Sequence, residues 1–285
     1  MSVLVLGSSG QLATHLKALL PRADYWGRET FDLAHPSGLS AAIRDHKPSF
    51  ILNAAAYTAV DKAEVERDIA WSVNAEAPEL AAKAAGLLDI PLLHISTDYV
   101  FDGAKIGEYS TSDPCRPINA YGASKLGGEV AVRLFAPKSW ILRTSWVFSE
   151  HGSNFVKTIV RLAGEQRELR VVGDQLGRPT YAGDLARLVA RIAEDGESRL
   201  PYGTYHAVGG AVTSWHGFAE AIVATACSCG RLPRAPPVTA ISTAEYPTPA
   251  RRPRNSTLQP SPELEGLGDF DWARGLRVAI ERLPR

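Results

Sequence analysis

Short apolar segments alternate with amphipathic helical segments through the first half of the chain. The pattern predicts strands at residues 3–6, 23–26, 50–54, 92–96, 141–145 and 169–172, and helices at 11–20, 39–46, 62–88 and 123–134. Repeated strand–helix–strand alternation predicts a parallel sheet with helices on both faces. The strands are mainly apolar with little alternation, as expected when both faces are buried. The sequence therefore predicts an α/β fold, a Rossmann-type doubly wound parallel sheet.

The alternation loosens in the second half of the chain. Predicted helices at 155–162, 185–192, 218–226 and 272–283 are separated by proline-rich segments. We expect residues 1–150 to form an NAD(P)-binding Rossmann domain, with a later return of the chain near 169–195. Residues 151–285 would then form mainly a smaller C-terminal substrate-binding lobe.

Charge and cysteine content exclude several classes of partner. The chain has 31 basic and 31 acidic side chains and a net charge of zero. Binding to nucleic acid or to an anionic membrane needs a net basic surface, so neither is expected as a partner. No apolar run has the length of a membrane span. Three cysteines and the absence of a basic leader before the first predicted strand favour the cytoplasm.

A glycine-containing loop directly follows the first predicted strand and leads into a helix. The loop and the first helical turn contain Gly7, Ser9, Gly10, Gln11 and Leu12. Glycines here permit a tight turn and let backbone N–H groups approach a pyrophosphate at the helix N-terminus. Such a motif is weak alone, but its place at the start of a strand–helix series predicts a dinucleotide site.

The residues after the second predicted strand bear on which dinucleotide is bound. An NAD-binding unit usually has an acidic side chain there for the ribose 2′-hydroxyl, whereas an arginine suits the 2′-phosphate of NADPH. In this chain no carboxylate follows Asp24 before Arg28. We therefore expect NADPH with Arg28 at its 2′-phosphate. NADH stays possible, because Arg28 also fits a solvated loop position.

A tyrosine and a lysine lie four residues apart on the helix predicted near residue 123. Tyr121 and Lys125 would share one face of that helix. An ammonium group stabilises a nearby phenolate, which eases proton transfer to a carbonyl oxygen during hydride reduction. In a chain with 9 tyrosines, a Tyr-x-x-x-Lys pair arises by chance about one time in four. The pair therefore needs support from a third element.

Polar side chains at the end of the fourth predicted strand supply that support. Ser96, Thr97, Asp98 and Tyr99 follow the apolar run at 92–95. In an open parallel sheet the ligand crevice lies beyond the carboxyl ends of the strands, so this group would face the crevice. Thr97 would then hydrogen-bond the substrate oxygen. The alternative, serine and threonine that merely cap the strand end, fits Ser96 better than the whole group.

Together these segments resemble the extended short-chain dehydrogenase/reductases and, more narrowly, the dTDP-4-dehydrorhamnose reductases. The resemblance rests on Gly7-x-x-Gly10-Gln-Leu, on residues 53–64 and 96–103, and on Tyr121-x-x-x-Lys125. Residues 142–148, 174–180 and 246–256 extend it across nearly the whole chain.

The resemblance implies a role for each matching position. Tyr121 would be the general acid, Lys125 its partner, and Thr97 the hydroxyl that polarises the C4 carbonyl of dTDP-4-dehydro-β-L-rhamnose. NADPH or NADH would reduce this nucleotide sugar to dTDP-L-rhamnose. The remaining implied contacts are Gly10, Gln11 and Leu12 at the pyrophosphate, Asp32 and Leu33 near the adenine, Ala56, Tyr57 and Thr58 along the dinucleotide, and Val60, Asp98, Tyr99 and Trp146 in the sugar pocket.

The sequence near the C-terminus adds a basic segment. Arg231, Arg234, Arg251, Arg252 and Arg254 have only Glu245 as an acidic residue between them. Such a cluster suits a nucleotide diphosphate, and Arg252 is its predicted substrate contact. A solvated basic loop is an equally good explanation for any single arginine.

Some members of the family form dimers around a magnesium ion held by acidic residues. Here His15 stands on the first helix where an acid would be expected, so no metal is expected, and the protein would be a monomer or a homodimer. Two alternatives stay open at this stage: a 4-ketoreductase for another dTDP-deoxysugar, and a catalytically silent dinucleotide-binding regulatory subunit. The presence of Thr97, Tyr121 and Lys125 favours an active enzyme over a silent subunit.

Overall fold

The structure is a computed structural model that describes residues 2–284. The strands of this part of the chain are β1 Val3–Leu6, β2 Asp24–Trp26, β3 Phe50–Asn53, β4 Leu92–Thr97, β5 Ser139–Thr144, β6 Val147–Phe148, β7 Leu169–Val172, β8 Leu176–Gly177, β9 Thr180–Tyr181, β10 Gly203–His206, β11 Thr213–Ser214 and β12 Val238–Ile241. The α-helices are α1 Gln11–Leu19, α2 Leu39–His46, α3 Arg67–Trp71, α4 Ala77–Leu88, α5 Ala120–Phe135, α6 Phe155–Glu165, α7 Ala182–Asp195, α8 Trp215–Ser228 and α9 Trp272–Glu281. No helix within residues 2–284 has the length and apolar character needed to cross a membrane.

Six strands form one parallel sheet in the order β10-β5-β4-β3-β1-β2. The strands β2 and β3 flank β1 on opposite sides, so the direction of winding reverses there. A ligand crevice forms at such a reversal, beyond the carboxyl ends of the strands. The α/β doubly wound fold predicted from the alternation is confirmed. Its geometry places the crevice next to the loops after β1 and β3.

Helices bury both faces of this sheet. On one face, side chains of α1 and α7 such as Leu16 and Val189 pack against Val5 and Leu142. On the other face, α2, α4 and α5 cover the sheet with the side chains Leu39, Ile43, Ala81, Ala85 and Val132, among others. Each fully buried leucine or valine contributes about 1.5–3 kcal/mol relative to an exposed one, so the sheet is a rigid base for the loops at its edge.

The second lobe has its own apolar core, between α6, α8 and α9. Phe148, Val156, Phe218 and Leu276 belong to it. The strand β7 pairs with β12 in a separate two-stranded sheet. Arg170 is exposed in the middle of β7, so this strand has one solvated face, unlike β1, β3 and β5 of the central sheet, which are buried along their whole length.

The return of the chain to the first lobe differs in detail from the sequence pattern. We expected it at 169–195. The helix α7 does pack on α1, but β7 does not join the central sheet. The sixth strand of that sheet is β10, which pairs with β5 and which the pattern placed in the second lobe. A four-residue strand that begins with glycine and contains a threonine carries too weak an apolar signal to be recognised. The division into lobes at residue 150 stays a prediction.

The predicted helix at 62–88 is interrupted. It consists of a 3-10 turn at Lys62–Glu64, then α3, a π-helical turn at Ser72–Glu76, and α4. Pro78 stands in the first turn of α4 and has no N–H to donate to the carbonyl of Asn74 four residues earlier. That carbonyl lies against Gly128 of α5, at a place where a larger side chain would clash. The irregular turn therefore brings Asn74 to the catalytic side of α5.

Candidate active site

The loop after β1 approaches the loop after β3 closely. Gly7 has a φ of +103°, which a side chain would strain, and a Cβ at this position would lie 3.1 Å from the backbone nitrogen of Ala55. The Gly7 N–H donates to the carbonyl of Trp26 at the end of β2, at 2.8 Å. Gly7 therefore fixes three strand ends beside one another, as the predicted phosphate loop requires.

The N-terminus of α1 is open toward this crevice. Gly10 is its N-cap, no side chain caps the helix, and a Cβ at Gly10 would meet no atom within 4 Å. The first N–H groups of a helix have no partner within the helix, so those after Gly10 are available to an anion. Ser9 is exposed beside them. These observations fit the pyrophosphate of a dinucleotide.

Two of the predicted pyrophosphate residues point their side chains elsewhere. The Leu12 side chain is buried against the central sheet. The amide of Gln11 donates to the carbonyl of Val147 at 3.3 Å and accepts from Asn154 Nδ2 at 2.9 Å. Only their backbone groups are therefore free to face a phosphate. The Gln11 side chain instead ties α1 to the start of the second lobe.

The predicted adenine-side residues lie beyond β2. Arg28 is exposed directly after that strand. The Asp32 carboxylate accepts from the N–H of Ala34 at 3.0 Å, and Leu33 is buried in the core next to Leu39. Arg28 and Asp32 are therefore the polar side chains of this edge, whereas Leu33 contributes packing.

The loop after β3 is clamped in place by Asn74, which is fully buried. Its side chain accepts from the N–H of Tyr57 at 2.8 Å and donates to the Tyr57 carbonyl at 3.0 Å. It also donates to the Ser124 hydroxyl on α5, at 3.0 Å. Ala56 and Thr58 on either side of Tyr57 are exposed. The predicted dinucleotide border is thus held rigidly against the helix that carries Tyr121.

The N-terminus of α5 packs directly on the end of β4. Gly122 has no room for a side chain, because a Cβ there would overlap the carbonyl of Tyr99. The cap residue Asn119 accepts from the Gly122 N–H at 2.7 Å and donates to the Arg251 carbonyl at 2.8 Å. This close approach brings Tyr121 beside the strand end, and its ring contacts that of Tyr99 edge to face at 5.8 Å.

The end of β4 carries two buried polar side chains, Thr97 and Asp98. The Thr97 hydroxyl donates to Asp98 Oδ1 at 3.0 Å and accepts from the Tyr99 N–H at 3.2 Å. Asp98 Oδ2 is buried without a hydrogen-bond partner in the described part of the chain. A buried polar atom without a partner indicates a site that a ligand completes.

The backbone of β4 holds the ammonium group of Lys125 in place. Lys125 is 2% exposed, its ammonium donates to the carbonyl of Ile95 at 2.7 Å, and His94 Nε2 lies 3.5 Å from its Nζ. Asn53 Nδ2 lies 3.0 Å from His94 Nδ1 and donates to it. Burial and the charge of Lys125 hold the pKa of His94 well below its usual range, so this ring is neutral.

Burial also shifts the pKa values of Tyr121, Lys125 and Asp98. It raises the pKa of Tyr121 to about 12, while the Thr97 hydroxyl opposes and the Asp98 charge supports the rise. It lowers the pKa of Lys125 to about 8 against the opposing charge of Glu129. It raises the pKa of Asp98 to about 7 despite the hydrogen bond from Thr97. At neutral pH, Tyr121 is therefore a proton carrier and Lys125 a cation.

Arg252, one of the predicted substrate contacts, lies against the loop after β3. Arg252 makes a bidentate ion pair with Asp61, with both N–O distances 2.9 Å, and Asp61 also accepts from the Ala250 N–H. Asp61 follows Val60 on the loop after β3, so this pair joins the two lobes across the site. Arg231, by contrast, donates to the carbonyls of Glu281 and Pro284 at the end of α9.

Trp146 has a φ of +49° and stacks on Trp215, with the ring centroids 3.6 Å apart. A Cβ at Gly177 would overlap the Trp146 ring, so the last residue of β8 is a glycine. A non-glycine residue in this left-handed conformation is unusual and costs about 1–3 kcal/mol, which the stacking offsets.

Several residues of the site escaped the sequence analysis. Asn74, Asp61 and Trp215 position predicted residues, yet none has a motif of its own. The same holds for a buried ion pair, in which Arg143 Nη2 contacts Glu129 at 2.7 Å and Ser96 donates to the same carboxylate at 2.6 Å. Glu129 is one turn after Lys125 on α5, and this spacing is a signal by which it could have been found.

Comparisons with known proteins agree with this geometry. The sequence profile of the RmlD substrate binding domain matches residues 1–283. A dTDP-4-dehydrorhamnose reductase of Aggregatibacter actinomycetemcomitans is 43% identical over 96% of this chain and 97% of its own.

Solved structures are also similar. A dTDP-4-dehydrorhamnose reductase of Clostridium acetobutylicum superposes with a TM-score of 0.89 at 35% identity, covering 99% of both chains. Another, of Bacillus anthracis in complex with NADP, has a TM-score of 0.88 at 35% identity and covers 98% of both chains. Profile, relatives and fold agree over nearly the full length, and the chain therefore belongs to the RmlD family, the dTDP-4-dehydrorhamnose reductases.

Proposed function

We propose that the protein reduces the C4 carbonyl of dTDP-4-dehydro-β-L-rhamnose to dTDP-L-rhamnose, with NADPH as hydride donor and Tyr121 as proton donor. The observation that carries this proposal is the arrangement at the edge of the sheet. Thr97 and Tyr121 both contact Tyr99 at the end of β4, and Lys125 is buried one helical turn away with its ammonium bonded to Ile95 at 2.7 Å. A hydroxyl, a phenol and a cation in one crevice are the groups that a carbonyl reduction needs.

Each of the three side chains has a distinct task in this mechanism. When bound, NADPH supplies the hydride that is added to C4 of the sugar. Tyr121 transfers its phenolic proton to the C4 oxygen as negative charge develops there. Thr97 donates a hydrogen bond to the same oxygen, and the Lys125 ammonium stabilises the phenolate that remains. Asn74 and Gly122 keep the dinucleotide border and α5 at a fixed distance.

Contacts on the far side of the crevice select the nucleotide sugar. Arg252 presents a guanidinium that Asp61 orients, which suits a diphosphate. Val60, Asp98 and Tyr99 line the sugar pocket in this proposal. The stacked pair of Trp146 and Trp215 adds a flat apolar wall for a sugar or a base.

The preference for NADPH over NADH is assigned to Arg28. It is exposed at the end of β2, where a 2′-phosphate of the adenine ribose would lie. We also assign the protein to the cytoplasm. The cysteines Cys115, Cys227 and Cys229 are unpaired, which agrees with a reducing compartment.

The experiment is a direct assay. Enzymatically generated dTDP-4-dehydro-L-rhamnose is added to the protein with NADPH, and the loss of NADPH absorbance and the formation of dTDP-L-rhamnose are measured together. We expect one NADPH oxidised per dTDP-L-rhamnose formed. NADPH that binds tightly without being oxidised would contradict the proposal and favour a catalytically silent dinucleotide-binding protein. Oxidation only with another 4-keto sugar would reassign the substrate.

A further inference from the structure

His15, at the expected metal position, does not fit magnesium. Magnesium prefers six oxygen ligands in an octahedral arrangement. His15 offers a ring nitrogen instead, and the structure places two further potential ligands next to it, Glu150 and His151. Within residues 2–284 these three form the only group of at least three His, Cys, Asp or Glu side chains close enough to hold one ion. We call them the histidine cluster.

The distances in the histidine cluster suit a small ion with tetrahedral ligands. His15 Nε2 lies 3.6 Å from Glu150 Oε2, and His151 Nε2 lies 3.9 Å from Glu150 Oε1. All three ligand atoms lie within 4.8 Å of one another. Metal–ligand bonds of about 2.0–2.1 Å in a tetrahedron separate the ligands by about 3.3 Å, so the histidine side chains must move closer to one oxygen of Glu150 and to each other when the ion binds.

Two imidazoles and one carboxylate are the ligand set of many zinc sites that keep one position open. Zinc and its neighbours in the first transition row prefer such nitrogen donors, whereas magnesium does not. We propose that His15, Glu150 and His151 form a binding site for a divalent transition metal, with Zn²⁺ as its representative.

The surroundings of the cluster support the role of Glu150 as the central ligand. Its carboxylate is 6% exposed, and the Tyr181 hydroxyl donates to both of its oxygens, at 3.0 and 3.2 Å. A hydrogen bond from outside the ligand shell orients a carboxylate toward its metal. His15 lines a surface cleft of about 300 Å³, which gives an ion a path to the site.

Two contacts compete with the metal and must be replaced when it binds. Arg282 Nη1 lies 3.3 Å from Glu150 Oε1, and the Ser149 hydroxyl lies 2.9 Å from His15 Nε2. The Arg282 side chain is 64% exposed, so it can leave the carboxylate for water at little cost. Arg282 therefore acts as a competing cation, and its removal should strengthen metal binding.

A metal at this position would join two distant segments. His15 lies on α1, one turn after Gln11 of the predicted phosphate loop. Glu150 and His151 lie between β6 and α6, where the second lobe begins, and Asn154 of the same loop already donates to Gln11 at 2.9 Å. Zinc would therefore add a cross-link at the junction of the lobes and stabilise the folded state in proportion to its occupancy.

The experiment measures zinc bound by the untagged full-length protein. A C227S/C229S background removes two thiols that lie two positions apart in the sequence, because thiolates are themselves zinc ligands. We expect one Zn²⁺ per chain by elemental analysis after dialysis, and a melting temperature that rises with Zn²⁺ but not with millimolar Mg²⁺. His15→Asn and His151→Asn should each weaken zinc binding at least about tenfold. The double substitution should abolish it.

Arg282→Ala supplies the matched test in the opposite direction. It should tighten zinc binding severalfold, because the competing cation is removed while the three ligands stay in place. No stoichiometric zinc in the parent, or equal binding by the H15N/H151N double variant with an unchanged metal-free melting temperature, would overturn the proposal. Zinc binding that Arg282→Ala weakens or leaves unchanged would exclude Glu150 as a ligand.

Discussion

Two polar clusters of this protein differ in how firmly their members are held. The buried network of Ser96, Glu129 and Arg143 lies under the catalytic helix, and its members are 3% exposed or less. The histidine cluster of His15, Glu150 and His151 opens to solvent, with His151 43% exposed in its side chain. The side chains of the buried network cannot exchange their partners for a ligand. The network can therefore only hold its neighbours in position. The histidine cluster can exchange a hydrogen bond for a ligand.

The largest effect is expected from breaking the buried network. Glu129→Gln leaves the Arg143 guanidinium buried without its counter-charge, and loss of one partner of a buried ion pair costs about 3–5 kcal/mol. The free energy of unfolding, from denaturant titration, should fall by that amount. Glu150→Gln is the matched control, because its cation Arg282 is mostly exposed. Its cost should be well below that of Glu129→Gln, because the Arg282 side chain is solvated when it loses the carboxylate. Equal losses of unfolding free energy in Glu129→Gln and Glu150→Gln would contradict the difference between the buried network and the histidine cluster.

A second prediction concerns pH. Burial lowers the pKa of Lys125 to about 8, so the ammonium is present below that pH and is lost as pH rises through it. We expect kcat/KM to fall about tenfold per pH unit above about 8. Tyr121 keeps its proton over this range, because its pKa is raised to about 12.

Asp98 also titrates near this range, since its pKa is raised to about 7. The Asp98→Asn variant removes that group and serves as the control. Its normalised pH profile should keep the decline above pH 8. If the fall in kcat/KM above pH 8 disappears in Asp98→Asn, the fall is caused by titration of Asp98 and not of Lys125.

The third prediction tests the bridge between the lobes. Asp61→Asn removes the charge that orients Arg252 and should raise the KM for the nucleotide sugar about tenfold, with kcat changed less than twofold. Substitution Glu165→Gln breaks an exposed ion pair with Arg161 on α6, far from any predicted contact, and should change neither constant. If Asp61→Asn leaves the KM for the nucleotide sugar unchanged, Arg252 does not need Asp61 to orient it for substrate binding.

The smallest effect is expected at the exposed edge of the cofactor site. Arg28→Ala should raise the KM for NADPH about threefold to fivefold and leave the KM for NADH unchanged, because only NADPH carries the 2′-phosphate. Steady-state kinetics with both cofactors measures this ratio. An equal rise of the KM for NADPH and the KM for NADH would show that Arg28 does not distinguish the two cofactors.

The sequence predicted the features that depend on local pattern. Apolar strands and strand–helix alternation were sufficient for the sheet, and the spacing of Tyr121 and Lys125 places both on α5. Features that depend on contacts far apart in the chain were not predictable. Asn74 reaches Tyr57 through a π-helical turn created by Pro78, and Trp215 meets Trp146 across 69 positions of sequence. The same limit applies to β7 and β10, whose sheets are chosen by tertiary packing.

The histidine cluster is another feature that depends on contacts between distant parts of the chain and was not predictable from the sequence. His15 alone on a helix predicted no metal, because its partners Glu150 and His151 lie about 135 positions later. A single histidine carries no spacing signal, whereas two ligands on one helix would have shown it. Only the packing of α1 against the loop before α6 makes the three side chains neighbours.

The central claim is that Tyr121 delivers the proton in a reduction carried out at the end of β4. Its most direct test is Tyr121→Phe, which removes the hydroxyl and keeps the ring against Tyr99. With NADPH and dTDP-4-dehydro-L-rhamnose, we predict a kcat lowered about 10²–10⁴-fold and a Kd for NADPH within about twofold of the parent. A variant that turns over at the parental rate would contradict this account of the site.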